Sequence, residues 1–298
     1  MILVIILQAL FAFCFVIFKK TLAYGEPFFL VGLRMLLSGV VLLTYSFFVA
    51  KQSIRYTRNV ILFILLGAVF NVYITNAFEL WGLQYVSAAK TSFIYNFSPF
   101  LAAFFSYLFL QETLTPKKWL GLLLGFIGFI PVLIAHSPQE LSTCMVGFIS
   151  VAEMAIIAAA IATALGWVAI KKLVYDERVP VAFANGSTML LGGILSMANS
   201  MAIETWSPLP SNDLLAVLAY TVLGASLSCL FCYNLYTILL KRYSATFMSF
   251  SGLLTPLVTA VAGWFLLGET ITWYFVLSFC LVSLGLFIFY MDEIKKKA

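Results

Sequence analysis

Ten stretches of this chain, at approximately 1–18, 28–50, 60–82, 87–110, 117–135, 146–170, 180–203, 214–240, 244–267 and 272–291, are apolar almost without interruption. Each runs for about 20 residues, the length at which an α-helix crosses the ~30 Å hydrocarbon layer and about twice that of a barrel strand. In hydrocarbon every backbone amide and carbonyl must find its partner inside the protein, which leaves helices as the only structure such runs can adopt. The expected fold is therefore an all-α polytopic membrane protein with ten transmembrane helices. Composition agrees: the chain is 63% hydrophobic and 10% charged, against roughly 45–50% and 25% in soluble domains. The first run has no basic segment before it and no small-residue cleavage site after it, so it reads as helix 1 rather than a signal peptide. Connections are short and leave no room for a soluble domain. Five cysteines scattered through apolar stretches imply no disulfide framework, and the Cys229/Cys232 pair sits inside one apolar helix with no second ligand pair.

Lys and Arg in the connections set the orientation. With a cytoplasmic N-terminus, thirteen cations fall inside: Lys51, Arg55, Arg58, Lys117, Lys118, Lys171, Lys172, Arg178, Lys241, Arg242, Lys295, Lys296 and Lys297. Three fall outside: Lys19, Lys20 and Lys90. Both termini are expected in the cytoplasm, and Lys19 and Lys20 need a separate reason to be where they are. The net charge of +5 is a topology signal and carries no argument for nucleic-acid binding.

The chain also repeats itself. "SPFLAAFFSYLFLQETLT" (98–115) aligns with "TPLVTAVAGWFLLGETIT" (255–272), matching Pro99 with Pro256, Glu112 with Glu269 and Thr115 with Thr272. "FVIFKK" (15–20) echoes "WVAIKK" (167–172), and "MLLSG" (35–39) echoes "MLLGG" (189–193). Residues 1–136 and 145–298 thus form two five-helix repeats. Five is odd, so the second repeat is expected to enter the membrane inverted, the arrangement of transporters that rock equivalent halves about a midplane site.

These motifs resemble those of EamA-like transporters of the drug/metabolite transporter superfamily, in the ten-helix bacterial form. The resemblance spans nearly the whole chain. It rests on the helix-1 pattern ending at Lys19 and its helix-6 copy ending at Lys171, on "PFFLVGLRMLLSG" around Arg34, on "SPF…FLQE" and "TPL…LLGE", and on "GLLLGFIG" of helix 5. One departure is Ser278, Val282 and Gly285 in helix 10, where helix 5 has Gly121, Gly125 and Gly128. The resemblance implies a central cavity lined by helices 1, 3, 4, 6, 8 and 9, with helices 5 and 10 peripheral. It leaves the cargo open among amino acids, nucleotide-related metabolites, sugars and toxic cations.

Several residues carry candidate chemistry. Glu112 and Glu269 precede the N-cap residues Thr115 and Thr272, where a carboxylate can bond free amides or face the next helix's positive end. Pro99 and Pro256 remove hydrogen bonds to the carbonyls of Tyr95 and Gly252, making hinges that can shape a cavity. Gly121, Gly125 and Gly128 form a stripe for close helix packing, within one copy or between two. Arg34 lies seven residues beyond Pro27, so roughly 10 Å below the outer end of helix 2. Glu153, Glu79 and Lys90 fall in the same outer layer, and charges at such depth must pair, face water or bind substrate. Glu79 is expected to pair with Lys90 across the hairpin, and Lys90 and Glu153 to reach the cavity. Tyr95, Asn96, Trp167, Tyr233, Asn234 and Tyr236 lie on the implied cavity helices, where they could cage a cation, stack on a base or simply form core. His136 falls in a loop and is expected to be solvated. Tyr24, Trp206 and Trp273 read as interface anchors.

The function expected is secondary transport of a small polar or zwitterionic metabolite, an amino acid or an S-adenosylmethionine-like molecule, by alternating access in a bacterial inner membrane. Lys90 or Arg34 would meet a carboxylate and Glu153 an ammonium or sulfonium. The rival within the class is an exporter of lipophilic cations, which needs an acidic site and aromatic walls; a channel or receptor is the more distant one. No ATP-binding motif, metal-ligand spacing or catalytic constellation is present, so no enzyme, metal or cofactor is expected. The partners expected are the substrate, the bilayer, a coupling proton or counter-substrate, and a second copy if the chain pairs.

Overall fold

The computed structural model describes residues 2–50, 56–97, 100–101, 115–207, 209–239 and 251–297. Among them the chain is helical almost throughout: α1 (Ile2–Thr21), α2 (Pro27–Val49), α3 (Arg58–Tyr85), α4 (Ala88–Tyr95), α5 (Pro116–Ile134), α6 (Val151–Asp176), α7 (Val181–Ile203), α8 (Leu214–Leu239), α9 (Leu254–Leu267) and α10 (Trp273–Lys297). Seven of these are long and apolar enough to cross a membrane: α1, α2, α3, α5, α6, α7 and α8. A single helical turn, Pro138–Leu141, and a two-residue hairpin pairing Met145–Val146 with Ile149–Ser150 join α5 to α6. Phe48, Leu215 and Trp273 are among many large apolar side chains left on the outside, as expected of a protein whose solvent is lipid. The chain is an all-α polytopic membrane protein.

The main helix contacts are α2 on α7, α5 on α10, α4 on α9, α3 on α6, α1 on α8, α3 on α7, α2 on α8, α1 on α9 and α4 on α6. This set maps onto itself when each helix of 1–5 is exchanged with its counterpart five later. The two largest contacts are built on glycine, because lipid removes the hydrophobic drive between helices and leaves close packing to hold them. A Cβ on Gly39 would come within 2.7 Å of the Leu190 amide, and one on Gly121 within 2.6 Å of the Gly285 carbonyl. The helix-5 stripe therefore lies directly on the helix-10 residues that depart from the glycine pattern. Ser278 has its own use there, accepting a hydrogen bond from the Val132 amide at 2.9 Å, next to Pro131.

Two pairs of elements bend the backbone toward the centre. The middle of α3 (Gly67–Ile74) and of α8 (Ala225–Tyr233) is π-helical, a wider turn that concentrates at functional sites. Each is followed by an asparagine that donates back to a carbonyl four residues earlier: Asn76 Nδ2 to Val72 O and Asn234 Nδ2 to Leu230 O, both at 2.9 Å. Helices 4 and 9 are broken. α4 ends at Tyr95 in a tight turn over Asn96 and Phe97, and the chain turns again at Gly252–Leu253 before α9. Pro256 thus sits in the first turn of α9, and the Gly252 carbonyl expected to be free accepts from the Thr255 amide at 2.9 Å. Pro99 and Glu112 lie outside the described residues.

The repeated acid has a partner in another helix. Gly268, in the left-handed region at φ 67°, ends α9, and the Glu269 carboxylate then accepts from the amides of Ala88 (2.8 Å) and Ala89 (3.3 Å). The free amides it meets belong to the start of α4, not to the helix that follows it. Lys19 completes the clamp, donating to the carbonyls of Leu83, Gln84 and Val86 at the end of α3. Helix-terminus capping is the separate reason this lysine has to be where it is.

Candidate functional site

Six helices, α1, α3, α4, α6, α8 and α9, surround a cavity of about 230 Å³. α1 contributes Gln8, Phe11, Phe15 and Phe18, one face of a helix at spacings of three and four. α6 contributes Thr163, Trp167 and Lys171, again one face. α3 adds Asn76 and Glu79, α4 and its turn Ser92, Tyr95 and Asn96, α8 Ser228, Tyr233 and Tyr236, and α9 with its preceding turn Gly252 and Thr255. Neither α5 nor α10 reaches it among the described residues.

Aromatic rings make most of the wall. Trp167 packs on Tyr236 at 4.3 Å and on Tyr233 at 5.4 Å between centroids, and Phe11 meets both tyrosines edge-on. Phe15 meets Tyr95 edge-on at 5.9 Å. The Tyr95 hydroxyl bonds the Thr163 hydroxyl, which in turn bonds that of Thr75. Thr163 and Lys171 are eight residues apart on α6, so the polar end at Tyr95 and the exposed lysine are separated by about 12 Å along the helix. Glu79 is the only carboxylate and Lys171 the only ammonium among the described residues that line the cavity.

Of the residues expected at a substrate site, Tyr95, Asn96, Trp167, Tyr233 and Tyr236 line this cavity, and Lys90, Glu153, Arg34 and Asn234 do not. Asn234 is turned to α7, accepting from Asn185 Nδ2 at 3.0 Å. Arg34 stands behind the cavity wall. Its guanidinium lies 3.7 Å from the centre of the Phe18 ring, and Nη2 donates to Asn76 Oδ1 at 2.9 Å. Lys90 and Glu153 meet each other, Nζ to Oε1 at 2.7 Å, and Lys90 also holds Glu140 at 2.6 Å and the Ala135 carbonyl at 2.7 Å.

The reason is local. α6 begins at Val151, later than the apolar run suggests, and Ser150 with Glu153 forms a capping box: the Ser150 Oγ accepts from the Glu153 amide, and Glu153 Oε2 accepts from the Ser150 amide at 2.7 Å. Glu153 is thereby pinned in the first turn, fully buried, away from the cavity. His136, expected to be solvated, is instead largely buried against this cluster, with Nε2 3.5 Å from Glu153 Oε2. The expected Glu79–Lys90 pair does not form, because Glu79 faces the cavity with Asn76 while Lys90 faces the end of α5. Glu140 and Glu79 are the residues sequence reasoning missed as site-forming. "SPQE" (137–140) is a capping-box pattern that points to Glu140, and the Asn76/Glu79 spacing puts Glu79 on the face that carries Asn76.

His136, Glu140 and Glu153 present ligand atoms within 4.8 Å of one another, close enough to share a cation. The Lys90 ammonium touches both carboxylates and already supplies that positive charge. Trp206, just beyond the end of α7, packs edge-on against Phe29 and donates to Ser200 Oγ.

Comparison with known proteins agrees with this architecture. The chain is 36% identical to an S-adenosylmethionine/S-adenosylhomocysteine transporter of Chlamydia muridarum, over 95% of this chain and 88% of that protein. It is 35% identical to the transporter of the same name in Chlamydia trachomatis serovar L2, over 95% and 86%. A probable amino-acid metabolite efflux pump of Salmonella typhimurium is 28% identical over 92% and 89%. A protein solved by crystallography shares the fold, with a TM-score of 0.66 at 18% identity, covering 100% of this chain and 97% of its own. The EamA-like transporter family model matches twice, at residues 1–134 and 150–291. The chain belongs to the EamA-like transporter family, and it is a metabolite transporter rather than an enzyme.

Proposed function

We propose that this protein carries S-adenosylmethionine and S-adenosylhomocysteine across a bacterial inner membrane by alternating access. The observation that carries the reading is the cavity: aromatic rings able to stack on a purine, one carboxylate for a positive centre, and a lysine at the far end for a carboxylate. Relatives at 35–36% identity over nearly the whole length carry that substrate pair in their names. The self-mapping set of helix contacts, the matched π-helical segments in α3 and α8 and the broken helices 4 and 9 support two inverted repeats, 1–136 and 145–298, rocking about this site. The distribution of Lys and Arg supports a cytoplasmic side for Lys171 and both termini. The α3–α4 turn, held by Lys19, Glu269 and the Lys90 cluster, would then be the outer closure, with the cavity facing the cytoplasm.

A second reading follows from the same wall. With Arg34 and Lys90 outside the cavity, an acidic site with aromatic sides also suits a lipophilic cation. Reconstituted protein tests both. Liposomes preloaded with S-adenosylhomocysteine should take up labelled S-adenosylmethionine faster than empty or protein-free liposomes. Uptake no faster than that, with tetraphenylphosphonium moved instead, would replace the first reading by the second.

A further inference from the structure

We infer that Glu79 reads the charge at the substrate's sulfur, so that the carrier takes the sulfonium form in preference to the otherwise identical neutral thioether; this rests on the proposed substrate pair. Glu79 is 8% exposed, and what it exposes faces the cavity. Tyr95 is in hydrogen-bonding contact with Glu79, and the Arg34 guanidinium, bonded to Asn76 Oδ1, is the nearest positive charge. Arg34 itself is held behind the Phe18 ring and cannot reach the cavity space.

A primary ammonium carries three N–H donors and needs about three acceptors when desolvated. Among the described residues the cavity offers one carboxylate, and Phe15, Phe18 and Tyr95 are among the rings of the same wall. A sulfonium donates no hydrogen bond, so a single carboxylate with aromatic faces around it meets all its needs. The neutral thioether gains nothing from that carboxylate and loses nothing when its charge is removed. The effect of Glu79 therefore falls on one member of the pair. The α-ammonium and α-carboxylate, common to both, would be met elsewhere in the cavity and cancel in the comparison.

The test is uptake of labelled S-adenosylmethionine and of labelled S-adenosylhomocysteine, each below saturation, by the full chain in proteoliposomes. Glu79→Gln keeps the shape and removes the charge. It should lower S-adenosylmethionine uptake about tenfold or more while S-adenosylhomocysteine uptake stays within about twofold, so the second substrate reports folding in the same sample. Glu79→Asp, which withdraws the charge by one methylene, should lower the ratio of the two uptakes by about threefold, and carries the test if the glutamine variant does not insert. Equal losses for both substrates, or an unchanged ratio in whichever variant inserts, would overturn the inference and leave the transport reading standing. Wild-type protein that moves neither substrate would overturn both.

Discussion

Lys90 is 6% exposed and holds two carboxylates that are 2% and 0% exposed, with His136 against the second. Charges this deep are tolerable only as a set, since each would cost several kcal/mol alone. Lys90→Met should therefore destabilise the protein by about 3–5 kcal/mol, and more than Glu140→Gln, because it strands two carboxylates whereas the glutamine variant leaves Lys90 paired with Glu153. Thermal denaturation of detergent-solubilised protein would check the order. Whatever Lys90→Met or Glu153→Gln protein survives should keep the wild-type ratio of S-adenosylmethionine to S-adenosylhomocysteine uptake, and a shifted ratio would restore these two residues to the substrate path. Their depth was legible in the sequence, but their direction was not. A five-residue difference in where α6 begins, 146 against 151, turned an apparent mid-membrane acid into a helix cap. The aromatic residues were easier: Tyr95, Trp167, Tyr233 and Tyr236 sit on helices that the family resemblance implied would line the cavity, and all four line it.

Among the elements, the ends of helices are joined by charge and their bodies by glycine. Glu269 satisfies two amides at the start of α4, and Lys19 three carbonyls at the end of α3, so the same turn is held from both sides. Glu269→Gln should keep the shape but weaken the cap, costing about 1–2 kcal/mol in thermal stability. Gly121→Leu should do more. Its Cβ would lie 2.6 Å from a backbone carbonyl that cannot turn aside, so α5 and α10 must part. Overpacking of this kind costs about 1–3 kcal/mol, and a fluorescent fusion should show the variant largely lost from the membrane fraction. Leucine at Gly147, where no neighbour lies within 4 Å, is the contrast in space, although its φ of 65° adds strain of its own.

At the scale of the whole molecule, orientation is the property with the sharpest test. Thirteen of sixteen connection and tail cations share one side in the expected topology. Two of the three exceptions, Lys19 and Lys90, are engaged with helix-end carbonyls inside the protein and so do not count against it. A reporter fused after Ala298 should be active only in the cytoplasm, and activity on the other side would demand an odd number of crossings. The sequence by itself determined the solvent, the helical class, the duplication and the family, because each follows from run length, composition or motif order, which need no coordinates. The cavity helices came only from the family resemblance, and among the described residues helices 1, 3, 4, 6, 8 and 9 do line the cavity. Only the tertiary structure decided which charge faces the cavity. Glu79, Lys90, Glu153 and Arg34 occupy similar depths in the sequence, and depth fixes a residue's position along a helix but not the side it faces. That side depends on where each helix starts and on which neighbour packs against it: the capping box turns Glu153 away, the end of α5 captures Lys90, the Phe18 ring covers Arg34, and of the four Glu79 alone is left facing the cavity.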